Sequence, residues 1–189
     1  MNIQTERLIL RPLNLFDAPD VRRLAADKDI ASTTKDIEHP YEDGMAEKWI
    51  GSCLRQAKSN ELAHFAIILA ENQEFMGTMT LHMDFGLGST STYSEEAELS
   101  YWVGKPYWNN GYATEAAKAV MNHGFAAMSM NRIYAAHFSR NPASGHVLKN
   151  AGMLHEGSQL GPTVKWGTVE QLELYSVSRE QFPETGSPC

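Results

Sequence analysis

The chain has 189 residues, 42% hydrophobic and 21% charged; this is the balance of a soluble globular protein long enough to bury one sizeable core, and it fits neither a disordered nor a membrane class. A net charge of −7 argues against general nucleic-acid binding, which needs a face rich in lysine and arginine to neutralise phosphates, and mildly favours a cationic substrate. No apolar run approaches the ~18 residues that span a bilayer, the first residues lack a signal-peptide core, and Cys53 and Cys189 have no CxxC or Cys/His metal spacing, so a cytoplasmic protein without disulfides or metal is expected.

Residues 8–10, closed by Pro12, read as a first strand, and Asp17 with Pro19 opens a helix to about Ala26, because proline's fixed φ suits a first helical turn. After a loop at His39, Pro40 and Tyr41, the residues Met45, Trp49, Ile50 and Leu54 recur at helical spacing, giving a second helix. Residues 65–69 and 75–81 flank a polar tetrapeptide and predict a β-hairpin. Residues 86–94 are rich in glycine, serine and threonine and read as a mobile loop, after which residues 97–103 form the next strand. The apolar period then changes from two to 3.6: Ala116, Ala117, Val120, Met121, Gly124, Phe125 and Met128 make one face of the strongest helix in the chain. Residues 132–138 are a strand, and Pro142 begins a short helix capped by Asn141 and closed near Gly152. Residues 153–156 and 170–177 complete the set, with 163–166 as a further candidate strand. The order is β-α-α-β-β-β-α-β-α-β-β, an α/β layer around a largely antiparallel sheet in a single domain over residues 1–182, with 183–189 as a disordered tail.

The chemistry concentrates where strand 97–103 leads through a short turn into the long helix. The first amide N–H groups of a helix lack intrahelical partners and the macrodipole adds about half a positive charge there, so this terminus is an anion site. Gly111 and Ala113 keep side-chain bulk low beside it. Taken alone, Asn110-Gly111 reads more readily as a plain turn and Thr114 as a cap.

The wider sequence narrows the choice. Trp108-Asn109-Asn110-Gly111-Tyr112-Ala113 resembles the acyl-CoA motif Q/R-x-x-G-x-G/A of the GNAT N-acetyltransferases, with Gly111 and Ala113 at the last two positions and Trp108 in place of the first. The run from Tyr101 to Trp108, the Gly-Tyr-Ala-Thr-Glu-Ala continuation, Thr5 to Arg11, His39 to Tyr41, Asn131 to Ile133, Asn141 to Ser144, Lys149 to Met153 and Lys165 to Gly167 are similar to the RimJ/RimL branch. The resemblance covers nearly the whole chain. It implies the GNAT fold, a mixed, largely antiparallel sheet of about seven strands splayed between its central strands, with about four helices.

The same resemblance implies an acetyl-CoA-dependent acyltransferase, with acetyl-CoA as co-substrate and no metal. Pantetheine would lie in the splay as an added strand, on backbone around Tyr101, Trp102 and Val103. Amides from Asn109 to Thr114, with Trp108 and Tyr112, would hold the diphosphate, and Asn141 would contact pantetheine. An acceptor amine is largely protonated at neutral pH, with a lysine near ~10.4 and an α-amine near ~7.7–8.0, so a base or water relay is needed. Glu98, which shares a strand face with Ser100 and Trp102, is the first candidate; Glu96, His82 and His137 are lesser ones, and an ion-paired or structural role is the alternative for each. Many GNAT enzymes carry a tyrosine seven residues after the Asn141 equivalent, where this chain has Leu148; in the RimJ/RimL branch a serine three residues after it can face the sulfur, and that is Ser144. The acceptor is a primary amine, with a protein N-terminus favoured and a polyamine, antibiotic or amino acid as the alternative. No nucleic acid or membrane partner is expected, and the chain is a monomer or homodimer. A non-catalytic acyl-CoA-binding module is the competing class. A P-loop or Rossmann nucleotide binder would need GxxxxGK[ST] or GxGxxG, which the sequence lacks.

Overall fold

The computed structural model describes residues 2–58, 62–83 and 95–182; the 86–94 loop and the 183–189 tail lie outside them. In chain order the elements are β1 (Ile3–Gln4), β2 (Leu8–Pro12), α1 (Ala18–Ala25), α2 (Lys28–Thr33), α3 (Met45–Lys58), β3 (Leu62–Leu69), β4 (Phe75–Met83), β5 (Glu96–Val103), α4 (Tyr112–Ala127), β6 (Arg132–Phe138), α5 (Pro142–Asn150), β7 (Leu154–Lys165) and β8 (Thr168–Ser178). The eight strands form one sheet in the order β1-β2-β3-β4-β5-β6-β8-β7, antiparallel throughout except between β5 and β6.

Both faces of this sheet are covered, which is why its central strands read as continuous apolar runs. On one face α4 packs Ala116, Ala117, Val120, Met121 and Phe125 against Phe65, Ile67, Leu99 and Val103. The other face takes α1, α2 and α3 through Val21, Leu24, Ile30 and Ile50, against Ala66, Ile68, Phe75 and Trp102. Successive residues of β3 and β5 thus enter different cores, as the strand period of two requires.

The architecture matches the expected one with three differences. Strand β1 is an added two-residue edge, paired through Ile3 with Leu10. Helix α2 is new: Asp27 caps it by accepting from the Asp29 amide, and its six residues are too few to show a period. Strand β7 is one element where two were read, because Gly157 and the stretch Gly161-Pro162 look like punctuation. Register shifts between His155 and Gly157 and between Leu160 and Val164 absorb them within the β7–β8 ladder. Cys53 is buried in α3 and free, and burial pushes its thiol up to about 12, so it is chemically quiet.

Candidate active site

The centre of the sheet forks. Strands β5 and β6 pair only at Glu96 with Arg132, Ala97 with Ile133 and Glu98 with Tyr134; beyond that they separate. On its other side β5 stays paired with β4 from Ala97 with Met83 to Val103 with Gly77. Backbone groups alternate sides along an antiparallel strand. The Glu95 carbonyl accepts from Asn131 next to β6, whereas the Trp102 carbonyl points at β4, 2.2 Å from where a Cβ on Gly77 would stand. The backbone facing the fork is therefore that of Leu99, Tyr101 and Val103, and Trp102 contributes its side chain, which packs on Phe75. A cavity of about 1410 Å³ opens in the fork and reaches Glu98, Ser100, Tyr134, Asn141, Ser144 and Gly111.

At one end of the cavity lies the turn into α4. Asn109 at φ 62° and Gly111 at φ 79° are both left-handed, a conformation asparagine tolerates and glycine adopts freely. Gly111 is the N-cap of α4 and provides no side-chain cap, so the first-turn amides of Tyr112, Ala113 and Thr114, all at the cavity wall, remain available to an anion. Trp108 turns its Nε1 to the Val103 carbonyl at 2.6 Å, and the Asn110 side chain donates to the Trp108 carbonyl at 2.9 Å. Both side chains thus brace the loop and leave its amides free. Together, the fork-facing backbone and these amides fit an extended chain ending in a diphosphate.

Two polar clusters flank β5 on opposite faces. On the face of α1–α3, Ser100 Oγ lies 2.8 Å from His82 Nε2, and Thr80 Oγ1 lies 2.5 Å from His64 Nδ1. Burial lowers the pKa of His82 and takes His64 down to about 3, so both imidazoles are neutral near pH 7. Glu98, opposite His82 in the ladder, is pushed above its ordinary value by burial, with Lys35 opposing. On the other face, the Tyr101 hydroxyl meets Ser144 Oγ at 2.7 Å and the Ser144 carbonyl at 3.2 Å; burial raises the Tyr101 pKa, so it stays protonated. Asn141 caps α5 through its Oδ1 to the Ser144 amide and faces the cavity.

The remaining sequence candidates divide. Glu96 is held by Arg132, which also pairs with Glu156. His137 stacks on Tyr175 and donates from Nδ1 to the Phe138 carbonyl. Leu148 is core, 1% exposed. Tyr41 borders the cavity. Sequence reasoning missed the side-chain partners of Ser100 and Tyr101, which only register and helix docking reveal. It also missed three cations that hold α2 and the segment after it: Lys105 on Asp29 and Arg140 on the Ser32 carbonyl within the helix, and Lys165 on the Ile37 carbonyl beyond it. Among the described residues no cluster of three or more His, Cys, Asp or Glu could hold a metal, and no helix is long and apolar enough to cross a membrane.

A family model described as an acetyltransferase (GNAT) domain matches residues 7–154. An uncharacterized N-acetyltransferase of Bacillus subtilis (strain 168), YnaD, is 30% identical over 158 residues, 83% of this chain and 85% of that protein. The structure of a GNAT-family acetyltransferase from Bacillus anthracis superposes with a TM-score of 0.79 at 25% identity, covering 95% of this chain and 99% of the other. The ribosomal-protein-S5-alanine acetyltransferase of Vibrio fischeri shares the fold at a TM-score of 0.80 and 18% identity, over 97% and 99% of the two chains.

Proposed function

The chain belongs to the GNAT acetyltransferase family and is an acyltransferase, and from that premise we propose that it moves the acetyl group of acetyl-CoA to a primary amine, with the N-terminal amine of a protein as the favoured acceptor. The observation that carries this reading is the fork, whose three-residue ladder at Glu98 and Tyr134 opens toward the left-handed turn at Gly111. Amides of Asn109 to Thr114 and the α4 dipole hold the diphosphate, while the backbone of Tyr101 and the Val103 N–H offer pantetheine the hydrogen bonds of a neighbouring strand; the Val103 carbonyl already accepts from Trp108. Asn141 and Trp102 line the same channel.

The alternation of β5 divides the chemistry. Glu98, on the face of α1–α3, takes the proton that a cationic amine must lose before its lone pair can form the N–C bond, its burial-raised pKa making it a stronger base than an exposed carboxylate. The second N–H proton passes to water as the adduct collapses to the amide. In that collapse the C–S bond breaks and its electron pair leaves on sulfur. Ser144 Oγ, with Tyr101 donating to it, gives its own hydroxyl proton to a hydrogen bond with that thiolate; no stronger acid is required, since a thiol near pKa ~8.5 is already a fair leaving group. The favoured acceptor is supported by the name of the Vibrio fischeri relative in fold and by the open cavity; small amines are the second acceptor class.

The test is an acceptor screen that reads free thiol. N-terminal peptides, polyamines and aminoglycosides are offered with acetyl-CoA, alongside calorimetry for acetyl-CoA alone. Thiol release faster with peptides than with small amines is expected. Micromolar acetyl-CoA binding without thiol release on any amine would replace transfer with acyl-CoA binding alone.

A further inference from the structure

Behind the loop that ends at Gly111, on the side away from the cavity, sits a side chain from the opposite end of the sequence. Arg7, in the turn between β1 and β2, donates from Nε to Glu115 Oε2 at 2.7 Å and from Nη1 to the Asn110 carbonyl at 3.0 Å. Its backbone amide and the Thr5 hydroxyl both reach Glu115 Oε1, at 2.9 and 2.6 Å. The guanidinium lies over the Tyr112 ring, 4.7 Å from its centroid. Burial works to raise the Glu115 pKa, but the hydrogen bonds from Thr5 and Arg7 outweigh it and keep the carboxylate ionised.

The contact to Asn110 fixes an orientation. In a trans peptide the C=O and the following N–H point in opposite directions. Once the Asn110 carbonyl is drawn to Arg7, the Gly111 N–H must point away from Arg7. Arg7 is not at the cavity wall and Gly111 is, so that direction is the cavity. The alternative peptide orientation would present a carbonyl oxygen to an incoming anion. A flip of that peptide turns ψ of Asn110 and φ of Gly111, and glycine, left-handed here, resists the change least, so something must hold the loop in the productive state. Trp108 and Asn110 brace other points of the loop, the carbonyls of Val103 and Trp108, whereas Arg7 reaches the Asn110 carbonyl itself.

We propose that Arg7 is the positioning residue of the diphosphate site, bridging Glu115 and the Asn110 carbonyl so that the Gly111 amide faces the bound diphosphate. It acts through the loop and does not touch the cofactor. This rests on the acetyl-CoA reading above, and it confines the effect of Arg7 to donors that carry the diphosphate.

The experiment compares acetyl-CoA with acetyl-pantetheine, which lacks the diphosphate and nucleotide, in the full chain, using calorimetry and kinetics with the best acceptor from the screen. Arg7→Gln should raise Kd and KM for acetyl-CoA about tenfold, the scale of one lost charge-assisted hydrogen bond, while kcat at saturation and every constant for acetyl-pantetheine stay within about twofold. Arg7→Lys keeps the charge but cannot fork between two acceptors, and should resemble Arg7→Gln. Glu115→Gln, which leaves Arg7 in place but loosens it, should shift acetyl-CoA in the same direction and supplies the reading if Arg7→Gln does not fold. Equal losses for both donors, no loss for acetyl-CoA, or full activity in Arg7→Lys would each overturn the proposal. Wild-type protein that binds both donors equally would instead sink the diphosphate site itself, and the role of Arg7 with it.

Discussion

Glu98 and His82 face each other across the β4–β5 ladder, and burial moves them in opposite directions, raising the carboxyl and lowering the imidazole. Each shift disfavours charge in the pocket where, on the proposed reading, a cationic amine loses its proton. Glu98→Gln should therefore lower kcat about 10²-fold near neutral pH, the usual worth of a general base, with the acetyl-CoA Kd unchanged. The deficit should narrow at high pH, where the amine is neutral unaided, and a pH–rate profile identical to wild type would remove Glu98 from the base role. Its place on the strand was legible, because the period of two puts Glu98, Ser100 and Trp102 on one face. The Ser100–His82 contact was not: it depends on the register of two strands across a loop that carries no pairing signal. Nor was the meeting of Tyr101 with Ser144, which requires knowing how α5 docks.

Among the elements, α4 was the easiest to read, since its sixteen residues display several turns of one apolar face, whereas the turn before it was ambiguous alone and took its meaning from the resemblance of its neighbours. Strand β7 was hard because its glycines and proline are tolerated by a bulged ladder that sequence does not announce. Strand β4 hides another dependence. A Cβ on Gly77 would stand 2.2 Å from the Trp102 carbonyl and 2.8 Å from the Val103 Cα, both backbone atoms that cannot rotate away. Gly77→Ala should part β4 from β5 at the end of the fork, costing about 2–3 kcal/mol of stability by denaturant titration, in the range of overpacked sites, and weakening acetyl-CoA binding. Gly152→Ala is the control: that glycine also has positive φ, +103°, but nothing lies within 4 Å of its Cβ position. It should lose stability from backbone strain while keeping acetyl-CoA affinity. Loss of affinity in both variants would deny Gly77 a specific role.

For the molecule as a whole, neutral histidines shielded from solvent, His137 almost fully and the others in part, tie folding to pH. His64 falls from the ordinary 6.5 to about 3, and burial also lowers His82, His123 and His137. Between those limits the unfolded chain binds a proton at His64 that the folded chain refuses, so stability is full above pH ~6.5 and declines below it, by up to about 1.4 kcal/mol per pH unit for one such group. The urea midpoint should hold from pH 8 to 7 and drop steadily toward pH 5, and His64→Gln should flatten the slope; a midpoint constant from pH 7 to 5 would contradict this. The fork has a consequence of a different kind. Sheets ordinarily confine rows of unanswered N–H and C=O groups to their outermost strands, where charge, proline or a bulge discourages strangers. Here such rows lie in the middle, between β5 and β6, where no neighbouring strand can be recruited without spoiling the enzyme. The molecule is in effect built one strand short, and the same incompleteness by which it is proposed to grip an extended small molecule makes it receptive to any extended segment able to reach that gap.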